Sequence, residues 1–367
     1  MLKRLAVLFA VLALVAAACG GDSGDDTTTS TTAAPDTGQG TEGGTLATVQ
    51  ARGTLKCGVS GSAPGFSEVA PDGSFSGIDV DTCRAVAAAV LGDGNAVEFR
   101  TLTAAERFAA LDSGEIDVLI RNTTWTQTRD TDLTNDFTAT TFYDGQQIMG
   151  NPATLAGLTV EGGFADIDGA VVCTNAGTTT EQNIKEGAEQ AGVTIQLKTV
   201  ENFPEAMDGF IAGTCDIVTT DGSGLYGHRS ANIAAGTPGA EDWVIFPEAP
   251  ISKEPLGPVV RENDSEWFDV VQWTVFALFS AEELGVTQAN VDSMMDSGGE
   301  IGRLLGGEGE IQTAMGLSAD AFANSIKAVG NYGEVYERNL GPLNLERAGT
   351  YNEQWYNGGL IYSPPFR

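Results

Sequence analysis

Histidine occurs once in the 367 residues, and lysine plus arginine number 19 against 50 aspartates and glutamates. So few cations exclude nucleic-acid binding, which needs a basic footprint on the protein surface. The single histidine, His228 in YGHRS, leaves little material for general acid–base chemistry near neutral pH. Its place beyond an expected strand end argues for exposure. Cysteine is scarce as well, five residues in all, and their spacing lacks the short CxxC pairs that zinc sites favour. Long apolar runs are missing from the body of the chain, where even the richest, WFDVVQWTVFALF, is interrupted by Asp269 and Gln272. None approaches the roughly 20 residues that a membrane-spanning helix needs.

The first eighteen residues, MLKRLAVLFAVLALVAAA, place Lys3 and Arg4 before an apolar run that stops at Cys19. That is the pattern of a secretion signal. Small residues at 16 to 18 followed by cysteine look like a lipobox, so Cys19 is expected to be lipidated and to become the new N-terminus. Ordinary signal cleavage, leaving Cys19 as a free thiol, is the alternative. Residues 19–44 contain almost nothing apolar and read as a disordered tether. The protein is therefore expected to sit outside the cytoplasmic membrane, held to its outer face by the lipid on Cys19. Without Lys3 and Arg4 the balance is 17 basic to 50 acidic residues, a net charge of −33, which suits solubility on a crowded surface better than it names an acidic partner.

The body, residues 45–367, is long enough for two domains. LKCGV, DTCRAVAAAVLG, VEFR, AAERFAALDSG and IDVLI alternate strand with helix, as a parallel α/β sheet does. A second series of the same rhythm begins near Gly169 and runs through GAVVCTNA, TTTEQNIKEGAEQAG, VTIQLKTV, FPEAMDGFIAG and CDIVTTD. The expected fold is α/β with two lobes, each a mostly parallel sheet flanked by helices: 45–145 as the first part of lobe 1, 146–246 as lobe 2, and 247–367 as the return to lobe 1 with C-terminal helices. Two extended crossings, near 142–150 and 244–252, would form a hinge that closes on a ligand.

In open α/β sheets ligands bind beyond the carboxyl ends of strands, and three segments there have complementary polar content. RNTTWTQTRD supplies Arg121, Asn122, Thr124 and Arg129, and an arginine fork matches a carboxylate. A surface ion pair between Arg129 and Asp130 is the plainer reading. NAGTTTEQN supplies Gly177, Thr178 and Thr179 at a helix start, where free N–H groups can receive an anion. A capping box from Thr178 to Glu181 explains the same residues without a ligand. VTTDGSGLYG places Asp221 at a strand end, to accept from an ammonium group or simply to cap a helix. An arginine, a helix start and a lone aspartate spread over two lobes make a clamp for a zwitterion.

Four cysteines besides Cys19 imply two disulfides with three possible connectivities. Pairing Cys57 with Cys83 and Cys173 with Cys215 closes one loop in each half and crosses no expected domain boundary.

On these residues the chain resembles the polar amino-acid-binding proteins of ATP-driven uptake systems, bacterial solute-binding protein family 3, and within it the general L-amino-acid-binding group. The resemblance spans nearly the whole body and is carried by CGVSGSAPGFS, GIDVDTCRAVAAAVLGD, RFAALDSGEIDVLIRNTTWTQTRD, GTTTEQN, CDIVTTDGSGLY, ISKEPLGPVV, KAVGNYGEVYERN and WYNGGLIYSPP. It implies a two-lobed periplasmic-binding-protein fold of type II, an L-amino acid ligand, an ABC-transporter permease as partner, a monomer, and neither cofactor nor metal. It also implies that Arg129 holds the α-carboxylate with Thr124 and the backbone of Thr178, while Asp221 and Asn122 take the α-ammonium. Arg107 falls where binders of acidic amino acids carry an arginine for the side-chain carboxylate, and Arg121 is placed to assist. The disulfide pairs given above agree with it. Many relatives stack the ligand on an aromatic residue after the first strand, but SGSAPGF has only small residues there until Phe66. Polar ligands such as glutamate, glutamine, aspartate or asparagine, or a broad range, are therefore expected.

Two other classes compete. A dehydratase-like enzyme on the same fold needs a tuned acid or base, and neither a metal cluster nor a nucleophile–base pair is apparent. A sensor domain signalling to a kinase would ordinarily need a membrane span after the body, and none is seen before Arg367. The lipobox reading predicts that Cys19→Ala moves the exported protein from the membrane to the soluble fraction, as followed by fractionation; continued membrane association would contradict it.

Overall fold

The computed structural model describes residues 44–367, so the expected signal (1–18), Cys19 and all of the tether but Gly44 lie outside the described residues. Two five-stranded sheets organise the chain. The first has the spatial order Val97–Thr101, Leu55–Val59, Val118–Leu119, Val259–Arg261, Asn135–Phe137, and the second Gln196–Val200, Val171–Asn175, Ile217–Asp221, Gln146–Gly150, Val244–Phe246. In each sheet four strands share a direction and one opposes them: Val259–Arg261 in the first, Gln146–Gly150 in the second.

The opposed strand is in both cases the first one laid down after the chain has crossed from the other sheet. Gln146 pairs with Asp221 and Gly150 with Ile217, so the chain enters the second sheet at the carboxyl end of its neighbour. Val259 likewise pairs with Leu119, the last residue of its strand. Both sheets therefore turn their carboxyl ends toward the crossings, which is the place where this class of sheet binds ligands.

The crossings themselves, Phe142–Asp144 and Glu254–Leu256, pair antiparallel as a two-stranded ribbon. The second lies later than the expected 244–252. Val244–Phe246 is instead the edge strand of the second sheet, because Ile245 and Phe246 are buried in its two cores. Burial of these apolar side chains, each worth about 1.5–3 kcal/mol, outweighs freedom to act as a linker.

The helix Ile78–Leu91 is buried on nearly every side, with only Arg84 and Leu91 outside the buried set. Its alanines let the helix Ala321–Val329 approach closely, and the Ser325 hydroxyl donates to the Ala85 carbonyl at 2.8 Å. The helix Ser265–Glu283 is capped by Asp264, whose carboxylate accepts from Trp267 N at 3.1 Å and from Thr45 N at 2.8 Å. Trp267 is fully buried, with its indole N–H donating to the Asp117 carbonyl at 3.0 Å. One core joins Leu55, Val86, Trp267, Phe322, Tyr336 and Phe366, so the helices after residue 264 pack on the first sheet. Among the described residues no helix is long and apolar enough to cross a membrane.

Disulfides join Cys57 to Cys83 and Cys173 to Cys215, and so take up the four thiols that a zinc site would need. The first ties the strand Leu55–Val59 to the helix Ile78–Leu91, and the second ties the strand Val171–Asn175 to the loop that precedes the strand Ile217–Asp221. Replacing the second pair, whose partners are 42 positions apart in sequence, by alanines should lower unfolding free energy by about 2–4 kcal/mol in denaturant titration. An unchanged midpoint would show that the link adds nothing to the packing.

Candidate functional site

The carboxyl ends of the two sheets meet at a cleft enclosing about 700 Å³ of atom-free space, its mouth included. Its walls bring several buried polar and charged side chains together, as the site of a small polar ligand does. The first lobe contributes Arg107, Arg121, Asn122, Thr124 and Arg129 to its walls, and the second contributes Thr178, Thr179 and Asp221. Every residue expected at the site lines it except Gly177.

The first-lobe side chains follow from how the strand Val118–Leu119 ends. Asn122 adopts a left-handed backbone (φ 31°), which asparagine tolerates better than most residues, and its N–H donates to the buried Asp79 carboxylate at 2.8 Å. Its side-chain oxygen, Oδ1, is buried without a partner. Arg121 is anchored by Nε donating to the Leu102 carbonyl at 2.8 Å, and its terminal nitrogens have no hydrogen bond or ion pair among the described residues. Arg129 sits in the short helix Gln127–Thr131 and donates from Nη1 to the Thr124 carbonyl at 2.9 Å. It does not pair with Asp130, whose carboxylate instead accepts from Phe137 N at 3.2 Å. Arg107 is 3% exposed and its Nε finds no partner. The guanidinium carbons of Arg107 and Arg129 lie 5.1 and 5.6 Å from the centre of the same ring, Phe108.

In the second lobe the capping reading holds in part. Thr178 Oγ1 accepts from Glu181 N at 3.0 Å, and the Glu181 carboxylate reaches back to Gly177 N at 2.9 Å. Gly177 thus forms the turn (φ 71°) and its N–H is used by the cap rather than offered to the cleft. The N–H groups of Thr179 and Thr180, in the first turn of the helix Thr179–Ala191, have no intrahelical acceptor and line the same opening. Thr179 Oγ1 donates to Glu254 at 2.9 Å and lies 3.4 Å from Thr124 Oγ1, across the cleft.

Asp221 occupies the N-cap position of the helix Gly222–Ala234 but makes no capping bond. It is 6% exposed and its carboxylate has no hydrogen bond among the described residues. Burial, then the nearby Asp144 and Glu254 carboxylates, push its pKa well above the usual range, while Arg129 and Arg107 pull it back. Burial also depresses Arg107, whose neighbours Arg129 and Arg121 add repulsion, and Arg121, which falls to about 10. Arginine does not shed its proton inside a protein, so burial and mutual repulsion leave these cations short of a counter-charge.

The walls also hold Ser60 and Ser62 of the small-residue loop SGSAPGF, together with Asn202, Phe203 and His228, which were not expected at the site. His228 is not exposed as expected: it is half-buried, its ring centre 4.9 Å from that of Phe203, and burial lowers its pKa to about 4. Asp221, Gly224 and His228 all line the cleft and follow the three-to-four spacing of one helix face, which is the signal that would have found it.

Buried arginines facing a buried carboxyl group without a partner, between two sheets linked by a two-strand ribbon, define a two-lobed ligand-capturing protein of the periplasmic-binding type. Residues 55–157 match the family of bacterial extracellular solute-binding proteins, family 3, and the chain belongs to that family. It is 46% identical over 329 residues to the general L-amino acid-binding periplasmic protein of Rhizobium johnstonii, covering 88% of this chain and 93% of that one. It is also 46% identical over 326 residues to the glutamate/glutamine/aspartate/asparagine-binding protein of Rhodobacter capsulatus, covering 88% and 93%. Among solved structures, an ABC transporter/periplasmic binding protein from Brucella ovis with glutathione bound superposes with a TM-score of 0.82 at 46% identity, covering 88% of this chain and 99% of that one.

Two further carboxyls bear on pH. Burial raises Asp79 to about 7 against the pull of Asn122 N–H and Arg121, and raises Asp144 to about 6. These two carboxyls therefore bind more protons in the folded than in the unfolded state between about pH 4 and 7, so their contribution to stability falls as pH rises through that window, while His228, lowered to about 4, works the other way below about pH 6.5 and offsets one of the two. The melting temperature of the ligand-free protein should drop from pH 5 to pH 8, and Asp79→Asn should flatten the drop. A melting temperature that climbs over this range would contradict the assignment.

Proposed function

We propose that the chain is the extracytoplasmic receptor of an ABC importer, capturing polar or acidic L-amino acids by hinge closure and delivering them to the permease. The observation that carries this reading is the pairing of opposite needs: Asp221, a buried carboxylate without a partner, faces buried arginines of the other lobe. A free amino acid supplies both missing charges in one molecule. Arg129, Thr124 and the N–H groups at the start of the helix Thr179–Ala191 take the α-carboxylate. Asp221 and the unpartnered Asn122 Oδ1 take the α-ammonium. Arg107 and Arg121 then face the side-chain end, where glutamate, aspartate, glutamine and asparagine all offer an acceptor oxygen. The names of the relatives from Rhizobium johnstonii and Rhodobacter capsulatus support this ligand class.

Mechanistically, ligand contacts available only when the lobes meet shift an open ensemble to the closed one. The receptor acts as a monomer, anchored through Cys19, and releases its ligand unchanged. The neutral His228, packed at a tilt against Phe203, supports binding rather than turnover; a new product mass after incubation with a bound ligand would overturn that part.

Calorimetric titration of the ligand-stripped protein against the twenty L-amino acids tests the whole reading. Arg129→Ala should weaken every ligand by about 100-fold or more, as loss of one partner from a buried charge pair does. Arg107→Ala should weaken glutamate and aspartate more than glutamine and asparagine. Normal binding by Arg129→Ala would sink the clamp.

A further inference from the structure

The helix Gly222–Ala234 carries Gly227 in its interior, a position where glycine is less stable than alanine. The residue has no left-handed backbone angle, so the chain's path does not call for glycine there. The reason lies across the cleft. A Cβ on Gly227 would stand 2.8 Å from Cβ of Pro64 and 3.5 Å from Cδ1 of Leu343, both in the first lobe. Pro64 also lines the cleft, so the lobes meet here at its rim. Where they approach elsewhere there is room: a Cβ on Gly177 would lie 3.9 Å from Ala105 Cα.

Neither side of this contact yields alone. Pro64 has a fixed φ and lies in a pinned loop, with Phe66 N donating to the Ala63 carbonyl at 3.1 Å and Gly65 N to the Glu68 carboxylate at 3.2 Å. Leu343 ends the turn Gly341–Leu343 and packs on the first-lobe core. On the other side, Leu225 is buried in a core of the second lobe and Gly222 N donates to the Gly145 carbonyl at 2.8 Å, which fixes the helix. Carbon atoms pack at about 3.5–4.0 Å, so a methyl group added at residue 227 would part the lobes by roughly 1 Å at this rim. Hydrogen bonds between charged groups are only about 2.7–2.9 Å long. A ligand gripped from both lobes would lose part of that grip.

We propose that Gly227 is a positioning residue for ligand capture: the bare helix face at this residue seats on Pro64 and Leu343, and this seat sets how far the lobes close. Asp221 immediately precedes the helix, so the depth of the seat sets the distance from its carboxylate to the arginines of the first lobe. Leu343 belongs to the C-terminal return of the chain, which therefore takes part in closure as well as in the first-lobe core. The proposal rests on the amino-acid clamp of the preceding subsection.

Calorimetry and stopped-flow binding of L-glutamate and L-glutamine to the full exported protein, stripped of ligand, test it with Gly227→Ala and Gly227→Leu. Alanine should weaken binding about tenfold and leucine about 100-fold or more. The loss should fall on the dissociation rate constant, with the association rate constant within about twofold of native, because the open form that first meets ligand does not make the contact. The ligand-free melting temperature of Gly227→Ala should stay at or above the native value, since alanine suits a helix interior better than glycine. Native affinity in either variant overturns the proposal and leaves the clamp intact. A loss confined to association marks damage to the cleft walls and also overturns it, as does a fall in the ligand-free melting temperature of Gly227→Ala, which would mean that the glycine serves packing within its own lobe. Failure of the native protein to bind either amino acid sinks the clamp, and this proposal with it.

Discussion

Charges held out of water without a partner raise the free energy of a fold unless something else satisfies them. Asp221, Arg107, Arg121 and Arg129 are all nearly buried, and none forms an ion pair among the described residues. They cannot be moved apart to relieve the strain, because each is fixed by a strand end or a helix start. Phe108 carries two of the guanidinium groups, and the Leu102 and Thr124 carbonyls hold two of them by hydrogen bonds. The opposed carboxylate lies on the other lobe. A ligand that carries both charges is thus worth most when the lobes are together, which is what couples binding to closure.

The hinge ribbon is built for the same end. Asp144, in the first crossing strand, accepts from the Ser223 hydroxyl at the start of the helix Gly222–Ala234. Glu254, in the second, accepts from Thr179 Oγ1 and from Asn183 Nδ2, each at 2.9 Å, in the helix Thr179–Ala191. Both crossings therefore hold a carboxylate against a helix N-terminus of the second lobe, where negative charge is favoured. From the other side the C-terminal segment braces the first crossing: Asn352 accepts from Tyr143 N at 2.7 Å and donates to its carbonyl at 3.0 Å. The Tyr332 hydroxyl adds a bond to the Thr141 carbonyl at 2.7 Å.

Much of this was legible in the residues. The strand–helix rhythm identified both sheets because apolar runs of strand length alternate with helical spacing, and RNTTWTQTRD stood out as cations in an acidic chain. The position of Val244–Phe246 was not legible, since a three-residue apolar segment reads the same in a crossing as in an edge strand and only the second lobe's cores decide. Arg121 was ambiguous for a similar reason: the bond from Nε to Leu102, nineteen residues away, is what turns it inward. His228 was misplaced because it was judged from the strand before it rather than from the helix that carries it. Gly177 was expected to offer its N–H to an anion at the helix start, but Glu181 claims that N–H.

The orientation of the ligand is the claim on which the rest turns. A crystal structure of the protein with L-glutamate bound would test it most directly. The α-carboxylate should lie on the Arg129 guanidinium and the first turn of the helix Thr179–Ala191, the α-ammonium on Asp221, and the side-chain carboxylate toward Arg107 and Arg121. A glutamate bound the other way round, with its side-chain carboxylate on Arg129 and Asp221 left without a cation, would contradict it.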